Sequence, residues 1–187
     1  RFIFGWEMPA SMTQFFNPFF IILFGSIFSV MWVKLSKIGK NPSIPLKFCF
    51  GIAQLAMGFL LTQVGFQFVN EAYQVPILTL VFLYMLHTTG ELFLSPIGLS
   101  MVTKLSPKNM AGTAMGAWFL SFAIANYVGG KIASLTGGHG GGEGNSAEEG
   151  LLQYLDTFAT IGYVLLAIAA LIFILNKPIQ KLMHGVE

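Results

Sequence analysis

Residues 75–102, VPILTLVFLYMLHTTGELFLSPIGLSMV, form an apolar run without a Lys or Arg, interrupted past its middle by a single carboxylate, Glu91. The run is long enough to cross ~30 Å of hydrocarbon, which takes about 20 helical residues. A charged side chain near the bilayer midplane costs at least ~2.5 kcal/mol, so a carboxylate at that depth is expected to have a task. Burial in a low dielectric also raises a carboxyl pKa, which suits Glu91 to carry a proton or to pair with a cationic substrate. On a helix, His87, Glu91 and Ser95 follow at intervals of four and make one polar stripe. Pro96 removes a backbone donor and frees a carbonyl around Leu92, while Gly90 and Gly98 tolerate close packing or bending. A carboxylate beside such a weakened stretch fits a midplane binding site in a moving helix.

Working outward, four further runs have spanning length, so the expected spans are 9–33, 45–65, 75–102, 109–135 and 151–176. Backbone groups facing lipid must be bonded internally, and no alternating barrel pattern appears, so the fold class is an all-α membrane protein. Composition agrees: of 187 residues, 55% are hydrophobic and only 10% charged, where a soluble domain carries ~25% charged residues. The mean hydropathy is +0.71. The net charge of +2 does not imply a nucleic-acid partner, because the lysines are confined to loops and helix ends. Cys49 is the single cysteine, which excludes an internal disulfide and reads as a packed thiol.

Lysine placement sets the expected topology. Lys34, Lys37, Lys40 and Lys47 flank the first loop, Lys104 and Lys108 the third, and Lys177 and Lys181 follow the last span. These are eight of the ten basic residues, and alternating spans put them all on one side. The positive-inside rule then places the N-terminus of the chain outside and its C-terminus in the cytoplasm, in a plasma membrane, expected to be a bacterial inner membrane. The opposite loops carry Glu7, Glu71, Glu143, Glu148 and Glu149, and the Gly-rich segment 136–150 reads as a flexible outside loop. The chain begins with Arg1 and shows no basic-then-apolar leader. Its odd number of spans, without internal repeats, is fewer than a repeat-built transporter needs, so it reads as part of a larger polypeptide.

Several other polar positions have two readings each. Gln14 and Asn17 sit three apart ahead of Pro18, either capping and kinking the helix at the interface or presenting amides to a water-filled cavity. Ser95 either faces such a cavity or bonds its own i−4 carbonyl. His87 either joins the polar stripe or caps and packs; with Glu91 it makes a His-x-x-x-Glu pair, but no third metal ligand is in view. Gly112 and Gly116, followed by Ala125 and Gly129, give small-residue spacing suited to close helix approach. Trp118 and Phe119 lie well inside their span, where aromatic rings line cavities more readily than they anchor interfaces. Tyr154, Asp156 and Tyr163 mark the outer interface of the last span.

Glu91-Leu-Phe-Leu-Ser-Pro-Ile-Gly-Leu99, then Ser106-Pro107, then Gly112-Thr-Ala-Met-Gly-Ala-Trp-Phe-Leu120 resembles the proton-dependent oligopeptide transporter family. Gln14-Phe-Phe-Asn17-Pro18 and the Asn41-Pro42-Ser43…Lys47 loop are similar to that family's pattern as well. The resemblance runs over nearly the whole chain and implies a partial major facilitator fold, the last five helices of the C-terminal bundle. It implies proton-coupled symport of di- and tripeptides, with Glu91 facing the central cavity and pairing with the peptide's amino terminus. Asn17 would contact the same end, and Ser95, Trp118 and Phe119 would form side-chain pockets. The helix pair carrying Glu91 and Trp118 would bend to open the cytoplasmic side. The family's acidic-Arg-aromatic motif on the first helix has no counterpart here, so the fragment alone is not expected to transport.

The candidate substrate-binding residues are therefore Glu91, Asn17, Ser95, Trp118, Phe119 and Gln14. The expected partners are di- and tripeptides, protons, membrane lipid and the missing N-terminal half of the transporter. Neither a cofactor nor a metal nor a catalytic residue is expected, and the chain does not read as an enzyme. The alternatives are a facilitator of another small solute, since fold does not dictate cargo, or an intramembrane metal enzyme built on His87 and Glu91.

Overall fold

The structure, a computed structural model, describes residues 2–3, 6–7, 10–71, 73–137 and 147–183. Two short strands, β1 (Phe2–Ile3) and β2 (Trp6–Glu7), pair antiparallel, and a single helical turn, α1 (Ala10–Thr13), follows. Five long helices make up the rest: α2 (Phe16–Lys37), α3 (Ile44–Phe66), α4 (Ile77–Leu105), α5 (Ala111–Gly137) and α6 (Ala147–Leu182). The all-helical membrane architecture expected from the sequence is present. The helices α2, α3, α4 and α6 are both long and apolar enough to cross a membrane. In α5, Gly112, Gly116, Ser121, Asn126, Gly129 and Gly130 dilute the apolar content without shortening the helix.

The boundaries follow local chemistry. Pro18 has no N–H for the carbonyl of Gln14, so α1 and α2 are separated by a turn at Gln14–Phe15, and the long helix starts later than position 9. Its far end is a Schellman motif: Gly39 adopts φ +65°, Lys40 N–H donates to the Leu35 carbonyl at 3.0 Å, and Gly39 N–H to the Ser36 carbonyl at 3.1 Å. Pro45 falls in the first turn of α3, where a missing donor is harmless. α4 runs on through Pro96 to Leu105, although Pro96 has no N–H for the Leu92 carbonyl. Glu148 and Glu149 occupy the first turn of α6, where carboxylates complement the helix dipole. Of the Gly-rich segment 136–150, residues 138–146 lie outside the described residues.

α3 runs between α4 and α6, α2 packs on α4, and α5 lies against α4. The α3–α6 pair is antiparallel: Ser43 Oγ donates to Asn176 Oδ1 at 2.7 Å at one end, and Gln63 Nε2 to the Leu155 carbonyl at 2.8 Å towards the other. Cys49 is buried and its thiol donates to the Ala169 carbonyl at 3.3 Å. Lipid tails are as apolar as leucine, so helices associate here through close packing at small residues. Gly51, Gly58 and Gly65 recur every seven residues along the α4-facing side of α3. A Cβ on Gly51 would lie 2.9 Å from the Gly90 carbonyl oxygen, and one on Gly90 would lie 2.8 Å from that of Gly51. The two backbones touch there. On the other side, a Cβ on Gly162 of α6 would lie 2.8 Å from Leu60 of α3.

The α3–α4 connection is tied to α6. Asn70 Oδ1 accepts from Gln74 N–H at 2.9 Å, which tightens the loop, and Tyr73 takes a left-handed φ of +56°. The Tyr73 hydroxyl donates to Glu148 Oε2 at 2.8 Å. That bond, and then the Glu148 charge, raise the phenol above its ordinary pKa.

Candidate functional site

The polar stripe of α4 opens into a cavity of about 420 Å³ lined by Asn17, Leu55, His87, Glu91, Leu94, Ser95, Trp118 and Phe122. Four helices contribute, and the packing described above decides how each arrives. Asn17 comes from the first turn of α2, next to the break imposed by Pro18. Aromatic contacts hold α2 against α4: Phe16 lies 6.0 Å from Tyr84, Phe28 5.1 Å from Phe93 and Trp32 5.3 Å from Phe93, between ring centroids. These contacts hold α2 along α4 and place Asn17, next to Phe16, at the level of Tyr84, at the His87 end of the cavity.

Trp118 crosses from α5 because Gly98 leaves room for it. A Cβ on Gly98 would lie 2.7 Å from Trp118 Cζ2, so the indole rests directly on the α4 backbone. Phe122, one turn further along α5, meets it edge-on at 6.2 Å. Ser95 is half-buried and makes no hydrogen bond to its own helix among the described residues. Thr89 and Thr103, by comparison, donate to carbonyls of α4 at 2.8 Å. The Ser95 hydroxyl is thus left for whatever enters the cavity.

Glu91 is exposed on this cavity and has no ion-pair partner among the described residues. The sequence pointed to a carboxylate within an apolar helix that faces a cavity, and here Glu91 stands on an open wall, since the described helices enclose the cavity from one side only. An unpaired carboxylate on a cavity that also has an amide, a hydroxyl and an indole ring in its lining can accept hydrogen bonds from a cation while the apolar wall holds the rest of the ligand.

Asn17, Glu91, Ser95 and Trp118 are brought together, whereas Gln14 and Phe119 lie outside the lining. Gln14 is exposed at the break between α1 and α2, and Phe119 is 58% exposed, with its ring tilted against Phe122. The position of Phe122 was readable from the sequence, because residues four apart share a helix face. Leu94, three residues after Glu91, was readable in the same way; Leu55 had no such signal and enters only because α3 packs so closely on α4. No cluster of three or more metal-binding side chains occurs among the described residues. The small-residue spacing of α5 meets no neighbour: a Cβ at Gly112, Gly116 or Gly129 would have nothing within 4 Å. Lys47 carries a contact the sequence did not announce. It is buried near the start of α3, with its Nζ 4.7 Å from the centre of the Trp32 ring.

The sequence matches the POT family over residues 1–141. It is 36% identical over 190 residues to the peptide transporter YePEPT of Yersinia enterocolitica, covering 100% of this chain and 35% of that protein. It is 33% identical over 183 residues to dipeptide and tripeptide permease A of Edwardsiella piscicida, covering 98% of this chain and 36% of that one. Among solved structures, the peptide transporter POT in complex with sulfate superposes with a TM-score of 0.80 at 31% identity. That match covers 98% of this chain and 34% of the other. The chain spans about a third of the length of the relatives it matches.

Proposed function

The chain belongs to the POT family, and from that premise we propose that it forms part of a proton-coupled symporter of di- and tripeptides. A substrate ammonium pairs with ionised Glu91, the Asn17 amide bonds the same end of the peptide, and Ser95 and Trp118 face its side chains. The upstream helices of the transporter supply the other wall of the cavity and the rest of the proton-coupling machinery. The lysine-rich ends of the helices face the cytoplasm, and α5 crosses the membrane with the other four long helices. The observation that carries this reading is the unpaired Glu91 carboxylate, open to a cavity shared by three other helices.

The test is Glu91→Gln in the complete transporter, measured by peptide binding in lipid nanodiscs. A hydrogen bond to a charged group is worth roughly 1.5–3 kcal/mol, so affinity for a free dipeptide is expected to fall roughly 10- to 100-fold. An N-acetylated dipeptide has no ammonium to lose, and its weaker binding is expected to be the same in both proteins. Equal affinity of the free dipeptide for wild type and variant overturns the assignment.

A further inference from the structure

His87 belongs to the cavity wall one turn before Glu91, yet its ring is turned back into the seam between α3 and α4. A Cβ on Gly58 would lie 2.6 Å from His87 Nε2, so the imidazole fills the notch that this glycine leaves. Phe59 covers it with 4.6 Å between ring centroids. Within the notch, Nε2 is buried and has no hydrogen-bond partner among the described residues.

A neutral imidazole tolerates that position as a bare acceptor. An imidazolium does not: Nδ1 has the Leu55 carbonyl to donate to, but the second donor, on Nε2, has no acceptor, and burying it together with a full charge is expensive. Among the described residues the helices packed around the ring offer no counter-charge: Leu55, whose carbonyl bonds the ring, and Phe59 face it from α3, Phe158 backs Phe59 from α6, and Asn17 and Trp118 share the cavity lining. On α4 the titratable neighbours are Tyr84, whose ring packs on Phe16, and Glu91. Residues four apart on a helix are within reach of an ion pair.

We propose that His87 is a proton-operated latch on Glu91. When neutral, the ring rests in the Gly58 notch and leaves the carboxylate free for a cationic ligand. When the ring swings out of the notch, Nε2 meets cavity water and takes a proton, and the imidazolium pairs with Glu91 across one helical turn, which closes the carboxylate to that ligand. Protonation of His87 and loading of an ammonium at Glu91 then exclude each other. The latch rests on the reading of Glu91 as the docking point for the peptide's ammonium.

The experiment follows the imidazole nitrogens of the complete transporter, ¹⁵N-labelled at histidine and held in lipid nanodiscs, across pH by NMR. His87→Gln assigns the signal by its loss. In Glu91→Gln the His87 midpoint is expected to fall by about one pH unit or more, because the carboxylate no longer favours the imidazolium. An unchanged midpoint in that variant overturns the latch. Gly58→Ala fills the notch and is expected to raise the midpoint; a folded variant with an unchanged midpoint also overturns it, and if the variant does not fold, the Glu91→Gln comparison decides alone. Dialanine is expected to lower the midpoint in the wild type. If dialanine has no effect while Glu91→Gln still shifts His87, the proton-driven pairing of His87 with Glu91 stands, and its exclusion of an ammonium falls with the docking reading.

Discussion

Trp118 shows how much a single position on a neighbouring helix decides. Its indole reaches the cavity only because Gly98 presents bare backbone to it. Gly98→Ala would place a methyl group where Trp118 Cζ2 now sits, and the ring has to swing towards the open side. The expected outcome is a red shift of Trp118 emission together with weaker peptide binding; unchanged emission would show that the indole has another resting place. The sequence offered Trp118 and Phe119 as equal candidates, both deep in an apolar run. Adjacent residues on a helix are turned about 100° apart, so one faces α4 and the other cannot. Which of the two faced inward depended on the rotation of α5 against α4, in which Trp118 rests on Gly98.

At the scale of elements, glycine has two different effects in this chain. Gly51, Gly58 and Gly65 share one side of α3 because seven residues make nearly two turns, and that side is pressed against α4. Gly51→Ala must push apart two touching backbones, so it is expected to destabilise the fold by about 1–3 kcal/mol, read as a lower Tm in detergent. Gly112→Ala meets open space. There the added helix propensity, up to ~1 kcal/mol, is the main effect, and no loss of Tm is expected. Equal losses at both sites would mean that α5 is packed by a surface on the upstream helices. The heptad of glycines in α3 was visible in the sequence, while the GxxxG of α5 drew the eye instead. Both patterns permit close approach, and neither says which face has a partner.

For the whole molecule, the lysine-rich helix ends make one prediction about orientation. In the complete transporter in intact cells, a membrane-impermeant maleimide is expected to label Glu71→Cys and to spare Lys37→Cys. Labelling of both, or of Lys37→Cys alone, refutes the assigned sidedness. The sequence by itself determined that the chain is a set of long apolar helices and that Glu91 falls inside one of them. Those properties depend on apolar length and on local chemistry such as Pro18 and Gly39, which act within a few residues. Only the tertiary structure decided what comes together: Asn17 and Glu91 on one cavity, Trp118 over Gly98, His87 in the notch of Gly58, and Gln14 and Phe119 left outside. Each of those outcomes depends on the rotation and spacing of two helices at once. In an apolar medium that spacing is set by van der Waals fit at a few glycines, a quantity that no single helix encodes.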